Sequence, residues 1–83
     1  MNYKEPTQVQ RAKILAASNE TETLCHEKER REITKVSSPT WWRWQHQGKA
    51  LPNKIKLSSN RSAWRKSSLL WFIHLLESTQ KVE

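Results

Sequence analysis

Cysteine occurs once in the 83 residues, as Cys25, so no internal disulfide can form and a reducing compartment suits the chain. The three histidines supply no metal set: His26 adjoins Cys25, while His46 and His74 stand far along the chain. No apolar run is long enough to span a bilayer or act as a secretory leader, and the mean hydropathy is −0.92. The expectation is a soluble cytoplasmic protein with no membrane partner. Catalytic patterns are missing as well, since no nucleophile sits beside a base, no carboxylates pair and no phosphate loop is visible. The chain is therefore not expected to be an enzyme, to carry a cofactor or to take a small-molecule substrate. The most telling gap is in charge, because no acid occurs anywhere from Ile33 to Leu76.

What that stretch does contain is Lys35, Arg43, Lys49, Lys54, Lys56, Arg61, Arg65 and Lys66, within a chain of net charge +7 and pI near 10.0. The N-terminal third, by contrast, interleaves its bases with Glu5, Glu20, Glu22, Glu27, Glu29 and Glu32. A merely solvated face mixes both signs, so a segment this one-sided calls for an anionic partner, of which a polyphosphate backbone is the commonest. A chain of this length holds one small domain, which buries only about 60–65% of its unfolded surface. Five tryptophans suit such a core: three of them buried, at on the order of 150–200 Å² each, contribute roughly 10–15 kcal/mol gross.

Residues 1–22 are polar and lack a clear apolar period, although Val9, Ala12, Leu15 and Ala16 are spaced to line a weak helix after Pro6; they read as a mobile arm or marginal helix. The domain proper is expected over residues 23–78, followed by a tail at 79–83. Leu24 to Lys35, rich in Glu, Lys and Arg at helical charge spacing, predicts a short and mostly exposed helix. The run Ser37-Ser38-Pro39-Thr40 is a helix start, with a hydroxyl to cap and a proline in the first turn, and Gly48, the sole glycine, marks the stop after Gln47. Lys54 to Leu57 alternates polar and apolar, Ser58 to Arg61 is turn-like, and Ser62 to Trp64 resumes an extended pattern, which together predict a hairpin. A last helix is expected from Ser67 to Ser78. The fold class is thus mainly α with a small β-hairpin, in the winged helix-turn-helix order of helix, helix, hairpin wing and helix.

Helical spacing turns Trp41 and Trp44 inward and leaves Arg43 and His46 outward, with Thr40, Trp42 and Gln47 on the flanks. The expected core is Trp41, Trp44, Ile55, Leu57, Trp64, Leu69, Phe72, Ile73 and Leu76. Trp42 is open between core packing and DNA contact. A major groove admits an α-helix, and an exposed arginine there makes bidentate bonds to guanine, so Arg43 is the first candidate for base readout. The expected DNA-contacting set is Ser38, Thr40, Trp42, Arg43, His46, Gln47 and Lys49, together with Lys54, Lys56, Asn60, Arg61 and Arg65. Trp71 and Leu75 make a second apolar face on the last helix, expected to meet either another subunit or the chain's own residues 7–18.

The stretch from Lys28 to Ile73 resembles the AlpA family of phage and prophage regulators, relatives of excisionases and of the MerR-like winged-helix fold. The resemblance rests on Arg30-Arg31, Val36-Ser37, Thr40, Trp42-Arg43, Gly48-Lys49, Leu51-Pro52, Ile55-Lys56-Leu57, Asn60-Arg61, Ala63-Trp64-Arg65, Ser67 and Phe72-Ile73. It implies sequence-specific binding of double-stranded DNA, nucleoid association, and service to a mobile element as a transcription regulator or as a recombination directionality factor working with an integrase or with further copies of itself. Four positions depart from the family pattern: Ala50 lengthens the turn, Lys66 and Ser68 replace acids, and Trp71 replaces a small residue. The competing expectation is an adaptor whose basic face binds an acidic protein.

Overall fold

The computed structural model describes residues 3–79. It contains four helices and a three-stranded antiparallel sheet, in the order α1 (Gln8–Ser18), β1 (Leu24–Cys25), α2 (Glu27–Thr34), α3 (Ser38–His46), β2 (Ile55–Ser58), β3 (Arg61–Arg65) and α4 (Lys66–Thr79). The expected mainly helical class with a small β element is what is found. Among the described residues no helix is long and apolar enough to cross a membrane, and no group of three or more His, Cys, Asp or Glu could hold a metal. From residue 80 on, the tail assigned to 79–83 lies outside the described residues.

Of the two expectations for residues 1–22, the helix is the one realised. Thr7 accepts from the Gln10 N–H at 3.2 Å while the Gln10 side chain accepts from the Thr7 N–H at 2.9 Å, a reciprocal cap that starts α1. Asn19 ends it in the left-handed region at φ 54°. α1 buries no residue fully. It is held instead by Arg11, which donates to Ser67 and Ser68 on α4, both at 2.8 Å.

The segment after α1 also differs from expectation, because Leu24 and Cys25 are extended and begin no helix. They pair with β3 in the register Leu24↔Arg65 and Cys25↔Trp64, so β3 is the central strand of an order β1-β3-β2. Burial of Cys25 pushes its thiol pKa up. Just upstream, Glu22 completes the start of α4: its carboxylate accepts from the Ser67 N–H at 2.9 Å and the Ser67 hydroxyl at 2.6 Å. This places negative charge at a helix N-terminus whose own first turn carries none.

The core is a nest of aromatic edges. Trp41 meets Trp64 at 6.2 Å and 88° and Phe72 at 5.6 Å and 77°, and Phe72 meets Tyr3 at 5.7 Å and 65°. Cys25 and Leu69 fill the remainder, while Trp44, Ile73, Leu75 and Leu76 pack half-buried against this cluster. Ile55 is also half-buried, at the inner end of β2.

Leu57 departs from the expected core and is 44% exposed. Lys56 faces Ser62 but Ser58 faces Arg61, so a bulge at Leu57 breaks the alternation that would have turned it inward. α2 is mostly exposed as expected, but Arg30 and Thr34 are buried in it. Trp71 and Leu75 are half-buried and do not form an open patch. They share one side of α4 with Ser68, at i, i+3 and i+7, and Arg11 of α1 bonds to Ser68 at the head of that row. α1 packs along α4, with Arg11 as its polar contact to Ser67 and Ser68.

Candidate nucleic-acid interface

α3 is placed by its two ends. Ser37 caps it, accepting from the Thr40 N–H at 3.4 Å, and Pro39 sits in the first turn. At the far end Gly48 takes φ +76°, which lets its N–H reach the Gln45 carbonyl at 3.2 Å and the Lys49 N–H reach the Trp44 carbonyl at 3.0 Å. Thr40 also accepts from the Ser37 hydroxyl at 3.0 Å.

Beneath α3 lies a buried charge. The Arg30 guanidinium has no exposed surface, pairs with Glu27 through two nitrogens, and donates to the Val36 carbonyl and to Thr34 Oγ1. Its carbon lies 4.5 Å from the centre of the Trp41 ring and 5.9 Å from that of Trp64. Glu27 accepts from the Ser38 hydroxyl too, so one carboxylate joins α2 to the first turn of α3. Burial works to raise the Glu27 pKa, but the Arg30 and Ser38 hydrogen bonds outweigh it and hold the carboxyl below its ordinary value. The indole N–H groups of Trp41 and Trp64 are buried without an acceptor, at a cost of about 1–3 kcal/mol each.

On the outer face of α3, Arg43, His46, Gln45 and Gln47 are exposed, and Trp42 is 61% exposed with its ring centre 3.9 Å from that of His46. Trp42 thus lies outside the core. Lys49 stacks over Trp44 at 4.3 Å, and Lys54, Lys56, Asn60 and Arg61 project from the hairpin. Between α3 and the hairpin runs an open groove of about 330 Å³, walled by Trp42 and Gln45 on one side and Lys54, Asn60 and Ser62 on the other, with Glu27 and Ser38 also lining it.

Glu5, Glu20, Glu22 and Glu27 pair with Arg11, Lys66, Arg65 and Arg30 respectively. Among the described residues, Arg43, Lys49, Lys54, Lys56 and Arg61 have no carboxylate within pairing distance, and neither do Lys4, Lys13, Lys28, Arg31 and Lys35 on or beside α1 and α2. All twelve residues expected to touch DNA lie on α3, the linker after it or the hairpin and are at least partly exposed. Two of them are engaged by carboxylates within the chain: Ser38 donates to Glu27, and Arg65 is turned to Glu22 at 3.0 Å, beside β1.

The sequence reading missed Tyr3, Glu5, Glu22 and the burial of Arg30. The Glu27–Arg30 spacing was visible, but i,i+3 is equally the spacing of a solvated pair, and only the tryptophans packed around Arg30 distinguish the two. No family model matches this chain, and no curated protein or solved structure proves similar to it.

Proposed function

We propose that this protein binds double-stranded DNA in a sequence-specific way, with α2 and α3 as a helix-turn-helix and β2–β3 as its wing. On this reading α3 enters the major groove, Arg43 reads a base edge, and Trp42 and His46 pack beside it on sugar or base. The wing carries Lys54, Lys56, Asn60 and Arg61 to the neighbouring backbone, and the groove between wing and helix straddles the strand. The observation that carries the proposal is that α3, the linker and the hairpin lie within the acid-free stretch from Ile33 to Leu76, so Arg43, Lys49, Lys54, Lys56 and Arg61 have no carboxylate among them, whereas the unpaired cations of α2 sit beside Glu29 and Glu32. The resemblance to AlpA-type regulators adds a role, in transcription or excision of a mobile element, with an integrase or further copies as partners.

Titration of a labelled duplex against salt tests this. Five phosphate contacts give a log–log slope of about −4.5, and Arg43→Ala removes about 1–3 kcal/mol of preference for the specific site, whereas Lys54→Ala weakens all sequences alike and flattens the slope by about one unit. A parent slope shallower than about −2 removes the DNA reading in favour of an acidic protein partner.

A further inference from the structure

Three distant parts of the chain meet at the Glu5 carboxylate. It accepts from the Asn53 backbone N–H at 2.7 Å, the Ser68 hydroxyl at 2.8 Å, the Arg11 guanidinium at 3.0 Å and the Tyr3 hydroxyl at 3.0 Å. Tyr3 is buried against Phe72, and Pro6 is buried on the other side of Glu5, so the segment is anchored in the core. Its grip on Asn53 is a grip on the hairpin. Residues 49–54, which lead from α3 to β2, belong to no helix or strand, and Asn53 stands two residues before β2 begins.

We propose that Glu5 is a positioning residue that holds the β2–β3 hairpin at a set offset from α3, so that the cations of both engage one duplex. The structural half stands on the hydrogen bonds above; the functional half rests on the DNA-binding reading. β3 is fixed at its inner end by β1, by the buried Ala63 and Trp64 and by its direct junction with α4. What a six-residue linker outside regular structure leaves to be set is the course of β2 and of the hairpin tip beyond that end, and contacts made by two elements on one rigid ligand add only when their separation is preset.

The proposal carries a sign that simple electrostatics does not. Glu5 is an acid on a DNA-binding chain, so Glu5→Gln should tighten binding if charge alone mattered. Positioning requires the reverse: binding to the specific duplex falls about tenfold or more, and the salt slope flattens by about two to three units as Lys54, Lys56 and Arg61 leave the backbone. Glu20→Gln, which removes the same charge from an exposed pair with Lys66, should bind as tightly as the parent or more so. Amide hydrogen exchange on the free protein should show Asn53 and the hairpin losing protection in Glu5→Gln while α4 keeps it. If Glu5→Gln does not fold, Asn53→Pro removes the N–H donor and leaves Glu5 its other partners, and duplex binding and amide exchange over the hairpin alone are read in that variant. Unchanged exchange at Asn53 and the hairpin, or binding in the variant as tight as in the parent, overturns the proposal. A parent without salt-dependent duplex binding sinks the DNA reading by itself, and the exchange comparison then decides whether Glu5 holds the hairpin.

Discussion

Cutting the Glu27–Arg30 pair at its exposed end should do more damage than cutting it at its buried end. Arg30 has no exposed surface, whereas the Glu27 side chain is 44% exposed. Glu27→Ala strands a guanidinium between Trp41 and Trp64 that water cannot reach, leaving it the Val36 carbonyl and Thr34 Oγ1 as acceptors. Breaking a buried pair costs about 3–5 kcal/mol. The half-exposed carboxylate and the surviving acceptors bring the expected loss to about 2–3 kcal/mol. Arg30→Met strands a carboxylate that can hydrate and that keeps Ser38 as donor, and methionine fills most of the volume, so about 1–2 kcal/mol is expected. The double variant should therefore be more stable than Glu27→Ala alone, since it removes the orphaned charge. For an 83-residue domain each kcal/mol moves the melting temperature by about 4–8 °C, which thermal and urea melts by circular dichroism resolve readily. A loss under about 1 kcal/mol for Glu27→Ala, or a double variant less stable than that single one, would refute the reasoning.

Acid should destabilise the fold in a defined window. Glu5, Glu22 and Glu27 each feel burial, which acts to raise the pKa, but their hydrogen bonds prevail and leave all three below the ordinary value of 4.5. A folded-state pKa lower than the unfolded one means that their stabilisation is complete above that unfolded value and is lost as pH falls through the folded values. Melting temperature should thus hold from pH 7 to about 5 and drop steadily below, and a flat profile to pH 3 would count against these networks. Gly48→Ala should cost about 1 kcal/mol by chemical denaturation, because φ is +76° there although a Cβ would meet open space; no loss would mean that the α3 stop does not need the left-handed residue.

Neighbouring residues by themselves determined much of this protein. Ser37 and Gly48 bracket α3 because a cap and a left-handed stop are settled within a few residues of chain. The apolar stripe of α4 and the turn that folds β2 back on β3 are likewise local, and the charge of the α3–hairpin side was legible because no acid interrupts it. Tertiary structure alone decided the rest. β1 is two residues long and exists only because β3 offers an edge, and nothing in Leu24 or Cys25 announces it. Leu57 left the core when a bulge, set by pairing with β3, reversed its side. Glu5, Glu22 and Arg30 carry the same side-chain chemistry as the solvated charges around them. What sets them apart is burial and partners, with Ser68 lying 63 residues from Glu5 and Ser67 lying 45 from Glu22, and such neighbours are assembled only by the folded chain.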